Sequence, residues 1–160
     1  MENNRFELTK DWGLWLSEVS DWKSFYTLTF DQSDRHHPVT RTEAEYKFRR
    51  LIQSLNTDLF GNHYTRIVGH SYFGYALAIE KHKSGLLHMH ALIDEPTNWT
   101  LAISIWNKIA GYLKIVPVEN KEGACRYVSK YVAKDGEVLI HLPKKRKSPS
   151  FRPMWYLAGR

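Results

Sequence analysis

Cysteine is almost missing from this chain. Cys125 stands alone among 160 residues, which excludes an internal disulfide framework and any zinc site of the cysteine-finger type. A chain that makes no cysteine pairs fits a reducing compartment. No apolar run approaches the ~20 residues that span a bilayer, so no membrane is expected among the partners. The opening residues Met1-Glu2-Asn3-Asn4-Arg5 are polar and followed by acid, unlike an export signal. These absences point to a soluble protein of the cytoplasm. There is also no internal repeat, no low-complexity block and no linker ahead of the last residues.

What the chain has is apolar and aromatic mass. Apolar residues make up 42% and aromatic ones 14%, enough for a real core in one domain and too much for a disordered chain. Charge is uneven. Six bases and one acid follow residue 135, so +5 of the net +6 belongs to the last 25 residues. The boundary falls there, with a domain over 1–135 and a basic tail over 136–160. A basic tail on a nearly neutral domain suits a polyanion such as nucleic acid. Lys144, Lys145, Arg146 and Lys147 are its candidate phosphate contacts.

Hydrophobic periodicity gives the elements. Leu8, Trp12, Trp15, Leu16 and Val19 recur at helical spacing, making 1–24 an N-terminal helical segment. Phe25-Tyr26-Thr27-Leu28-Thr29-Phe30 reads as a strand. Thr42 and Glu45 have the spacing of a capping box for a helix carrying Phe48, Leu51, Ile52, Leu55 and Leu59, with Gly61 as its stop. Residues 62–70 are a possible extra strand. Two alternating runs, 74–82 and 86–93, flank the turn Lys83-Ser84-Gly85 and make a hairpin. A helix over 98–110, a strand over 112–118 and a helix over 123–134 complete the order. The class is α+β, a ferredoxin-like (RRM-like) split βαββαβ with a central antiparallel sheet, helices on one face and the active site on the other.

The hairpin carries the first candidate chemistry. Strand side chains alternate between faces. Tyr75, Leu77, Ile79, Leu87, Met89, Ala91 and Ile93 therefore face the core, and Ala76, Ala78, Glu80, His88 and His90 the open side. A turn centred near Ser84 sets Glu80 opposite His88, with His90 one pair along. Opposed Cβ atoms are ~5 Å apart and diagonal ones ~7–8 Å, a span that one shared metal bridges. Two imidazoles and a carboxylate fill about half of an octahedral shell and leave positions for water or substrate oxygens. A bare His-x-His on a strand is most often a solvated pair. The glutamate opposite, with small alanines beside it, lifts this one above that. His82 shares the parity of Glu80 but lies at the turn, as a reserve ligand.

The last helix carries the second. At about 3.6 residues per turn, Tyr127, Lys130, Tyr131 and Lys134 form one stripe, and Ala124, Cys125, Val128 and Val132 another that packs on the sheet. Tyrosine, with a reference pKa of ~10, attacks phosphorus only where the phosphate is polarised and a cation stabilises the phenolate. The lysines are that cation. Taken alone, the stripe reads equally as packed aromatics with solvated lysines.

The three segments, in this order, resemble the HUH endonucleases that start rolling-circle replication. Phe25 to Phe30 looks like the family's first motif, His88-Met89-His90 like its His-hydrophobic-His motif, and Tyr127-Val128-Ser129-Lys130-Tyr131-Val132-Ala133-Lys134 like its third. The third has the two-tyrosine form and is similar to the gene A type of small single-stranded DNA phages and to related phage and plasmid initiators. The likeness spans about residues 25–134.

The resemblance implies a nuclease domain over 1–135. In it Glu80, His88 and His90 hold Mg²⁺ or Mn²⁺ and Tyr127 or Tyr131 attacks the scissile phosphate. A 5′-phosphotyrosine and a free 3′-OH result, with Lys130 and Lys134 assisting. Its partner is single-stranded DNA at a replication origin, in the cytoplasm of a host cell. The glycine-rich phosphate loop of longer initiators is missing, so unwinding and synthesis fall to host helicase and polymerase, or the chain is a nuclease domain alone. Two other readings stand beside this one. They are an HUH relaxase or transposase with the same chemistry, and a non-catalytic domain that binds single strands on sheet aromatics.

Overall fold

Alternation along one central strand organises the molecule. Strand β1 (Ser24–Phe30) sends Tyr26 and Leu28 into one core, while Phe25, Thr27 and Thr29 lie on its other side. The computed structural model describes residues 2–33, 36–68, 71–131 and 137–143. Around β1 stand α1 (Glu2–Val19), α2 (Arg41–Phe60), α3 (Tyr64–Val68), β2 (Tyr75–Lys81), β3 (Leu87–Ile93), α4 (Trp99–Ile109), β4 (Gly111–Pro117), α5 (Lys121–Ser129) and β5 (Glu137–His141). The strands form one sheet in the order β4-β1-β3-β2-β5, with every neighbouring pair antiparallel. This is the α+β, ferredoxin-like arrangement expected from the sequence, extended by one strand.

The first sheet face is closed by α2 and α4. Tyr26, Leu28, Leu77, Met89, Ala91 and Ile93 pack against Phe48, Leu51 and Leu55 of α2 and Ala102 and Trp106 of α4. Full burial of such side chains is worth about 1.5–3 kcal/mol each, which makes this layer the main source of stability. Helix α2 starts where Thr40 accepts from the Glu43 N–H at 3.2 Å. The cap is therefore Thr40, two residues before the expected Thr42, because the same Thr-x-x-Glu spacing occurs twice. Gly61 ends the helix as expected, its N–H donating to Thr57 O at 2.8 Å.

The second face is not left open. Ala76, Ala78 and Leu92 are buried beneath Cys125, Val128 and Tyr131, beside Leu16 and Trp22. The two small alanines let α5 approach the sheet. Helix α1 lies against α5 at Gly13, where an added Cβ would be 3.3 Å from Arg126 Cα. Trp22 fixes the end of α1 by donating its indole N–H to Leu16 O at 2.7 Å. Helices thus cover both faces, and only the hairpin end of the second keeps polar groups.

Two segments differ from the sequence reading. Residues 64–68 are helix rather than strand. Hydrogen bonds from Tyr64 N to Gly61 O (3.2 Å) and Arg66 N to His63 O (2.9 Å) turn the chain at once, and both edges of β2 are already taken by β3 and β5. Residues 137–141, placed in the tail, form β5 against β2, with Val138 opposite Ala78 and Ile140 opposite Ala76. No helix among the described residues is long and apolar enough to cross a membrane.

Candidate active site

The β2–β3 hairpin has the expected register: Glu80 pairs with His88 and Ala78 with His90. Its turn closes through His82 N to Leu86 O and Gly85 N to His82 O, both 2.8 Å. Gly85 takes a φ of 86° there, a conformation in which a side chain is strained. On the opposite side β1 places Thr27 beside His90 and Thr29 beside His88. A row of Glu80, His88, His90 and two threonines therefore runs across three strands of the second face.

Helix α5 lays its aromatic side chains over one end of that row. It starts at Asn120, whose Oδ1 accepts from the Gly123 N–H at 2.9 Å. Its regular part ends at Ser129, earlier than the expected residue 134. The His90 ring stacks with Tyr131 (centroids 5.4 Å apart, planes at 12°) and with Phe25 (5.7 Å, 24°). Tyr127 stands edge-on to His90, with centroids 5.1 Å apart. The two tyrosine rings are 5.8 Å apart. Lys130 Nζ sits 3.5 Å from the Tyr127 ring centroid and 4.8 Å from that of Tyr131. An ammonium so placed favours the phenolate form of either ring.

The tyrosines differ in access. Tyr127 is 40% exposed and Tyr131 only 1%. The expectation that both lie on a face outside the core holds for Tyr127 and fails for Tyr131, which α1 and the sheet enclose. Tyr131 Oη has no hydrogen-bond partner of ordinary geometry. Burial first, then the neighbouring Tyr127 phenol and the Glu80 carboxylate, push its pKa far up. Its proton is held.

The histidines are kept neutral. Burial lowers the pKa of His90 to about 4, against the opposing pull of Glu80 and with His88, Lys130 and His82 adding to the fall. Burial also lowers His88, with His82 helping. A neutral imidazole offers a lone pair, and His90 Nδ1 is buried with no partner. No preformed cage of three or more His, Cys, Asp and Glu side chains stands among the described residues. The residues nevertheless suit a divalent ion in kind and placement. A carboxylate and an imidazole face each other across one pair, an unpartnered ring nitrogen lies one pair on, and neutral donors suit Mg²⁺ or Mn²⁺ less than Glu80 does. His82 comes closer than its loop position suggested, with its ring 4.4 Å from that of His88 and Nε2 3.9 Å from Glu80 Oε2.

Sequence reading named Phe25 only as part of a strand motif. Its ring contact with His90 was available from parity, since Phe25, Thr27 and Thr29 share one side of β1. Lys134, Lys144, Lys145, Arg146 and Lys147 lie outside the described residues.

Fold and site together define an α+β protein of ferredoxin-like order with an imidazole–phenol cluster on one sheet face. The family model of replication-associated proteins, of the ORF2 and gene 2 protein type, matches residues 23–136, from just before β1 to just before β5. The chain belongs to that family. Comparison with curated proteins and with solved structures gave no match.

Proposed function

We propose that this protein nicks single-stranded DNA at a replication origin and joins itself to the cut strand through a tyrosine, initiating rolling-circle replication. One observation carries the reading. In a chain of a replication-associated family, a solvent-reachable tyrosine stands edge-on to a strand histidine beneath a lysine ammonium. Tyr127 makes the first attack because it is the accessible phenol. Its oxygen bonds to phosphorus as the bond to the 3′ oxygen breaks, and the proton lost by the phenol balances the one gained by the departing 3′-hydroxyl. Lys130 stabilises the charge that builds on the phenol oxygen. A divalent ion, Mg²⁺ or Mn²⁺, held by Glu80, His88 and His90 would polarise the scissile phosphate. Tyr131, one turn on, serves the second cut once the end of α5 shifts to uncover it. Host helicase and polymerase supply unwinding and synthesis.

The test is a denaturing gel. Single-stranded oligonucleotides of random and of origin sequence are incubated with the protein, with Mn²⁺ or with EDTA. The expected result is a covalent protein–DNA adduct in Mn²⁺ alone. Absence of any adduct across the pool, with folded protein, overturns the reading.

A further inference from the structure

A groove of about 350 Å³ runs beside Tyr127, between β4 and α5. Its size falls in the range of small-ligand sites. Phe25, Val116, Ala124 and Tyr127 give it an apolar wall, and Glu119 and Asn120 its polar part. Val116, at 37% exposure, and Tyr127, at 40%, leave that wall open to solvent. Tyr127 also belongs to the cluster around His90, so the groove and the site share one side chain.

We infer that this groove takes one unpaired base of a single strand whose phosphate lies at Tyr127. The inference rests on the proposed passage of a single strand past that tyrosine. Charge gives the orientation. Asn120 and Tyr127 are seven residues apart on α5, or about 10 Å along its axis. Glu119 thus lies at one end of the helix and Lys130 one turn beyond Tyr127 at the other. Among the described residues no lysine or arginine lines the groove. A phosphate is repelled from the Glu119 end and drawn toward Lys130, which leaves the groove to the flat, apolar-faced part of the nucleotide. Phe25 and Tyr127 meet edge to face, with centroids 5.6 Å apart, and present aromatic surface to it. Stacking of this kind accepts any base. The groove therefore holds the strand in place without reading its sequence.

The test uses the whole protein in EDTA, so that no cleavage occurs. Binding of a labelled oligothymidylate is compared with that of an equally long abasic strand. The native protein should bind the base-bearing strand at least about tenfold more tightly, the worth of one stacked base. Ala124→Leu fills the groove, and Val116→Asn removes an apolar wall from an exposed position; neither changes charge. Each should shrink the ratio by about tenfold and leave abasic binding unchanged, with urea unfolding confirming the fold. A native ratio near one, or a full ratio in both variants, overturns the inference. So does concentration-dependent dimerisation that Val116→Asn abolishes, which would assign the groove to a second copy. Adduct formation in Mn²⁺ is scored separately. An adduct without base-dependent binding removes the groove and keeps the nicking reading, and the reverse result does the opposite.

Discussion

The two faces of the sheet are built from the same strands and differ in what they leave undone. On the first, α2 and α4 bury every inward side chain in apolar contact. On the second, α5 and α1 cover Ala76, Ala78 and Leu92 but stop short of Glu80 and His88, which stay partly exposed. The first face is closed by long helices with apolar stripes. The second is closed by a nine-residue helix whose last turn is phenol and ammonium. One layer holds the fold together, and the other trades part of its closure for polar groups held in fixed register. His90 is the sharpest case, a buried imidazole whose Nδ1 bonds to nothing.

The largest expected effect lies on the second face. Tyr127→Phe should lower adduct formation by roughly a thousandfold or more, as loss of a nucleophile does, while Tyr131→Phe keeps most of the first cleavage on a short oligonucleotide. Survival of Tyr127→Phe together with a dead Tyr131→Phe would reverse the order of the two phenols.

Next comes a stability contrast measured by urea unfolding. Phe48→Ala should cost about 3–5 kcal/mol, since it opens a cavity in the closed layer. His90→Ala should cost clearly less, because the ring contacts it loses are offset by removing an unpartnered buried nitrogen. It should nevertheless abolish the adduct. Equal costs would mean that His90 is ordinary core. A parallel check removes the metal: EDTA should stop cleavage by the native protein without shifting its urea midpoint by more than the loss of a weakly bound ion implies.

The smallest effect is a pH dependence. Burial, partly opposed by Lys121 and Trp22, raises the Cys125 thiol from its ordinary 9.0 to about 11. The folded state therefore keeps a proton that the unfolded state gives up between those values. The stability tied to the neutral thiol is fully present below pH 9 and lost as pH rises toward 11. Comparing native protein with Cys125→Ala over that range should show a shallower alkaline decline in the variant.

Much of this was legible because it depends on short-range geometry. A hairpin with a three-residue turn fixes its own register, so the pairing of Glu80 with His88 followed from counting. Tyr127 and its neighbours followed from helical spacing. What escaped depended on distant partners. Burial of Tyr131 requires α1, whose packing against α5 is set by a close approach at Gly13 that no local pattern announces. Strand β5 is a five-residue alternating run just ahead of a basic stretch, and the charge outweighed the pattern. Residues 64–68 contain β-favouring Tyr64, Thr65, Ile67 and Val68, but the cap at Gly61 commits the backbone to turn before any strand edge is in reach.

Strand β3 has a hydrogen-bonded neighbour on each side, β1 and β2, whereas α5 has only its own backbone ladder. Amide protons on the strand leave only when the sheet opens as a whole, while those of a short surface helix exchange through local openings of lower free energy. The two halves of the site therefore keep different clocks. The histidines are anchored in the slowest-exchanging part of the molecule, and the tyrosines ride on a segment that can loosen, present one phenol and then the other, and settle again without disturbing the strand beneath.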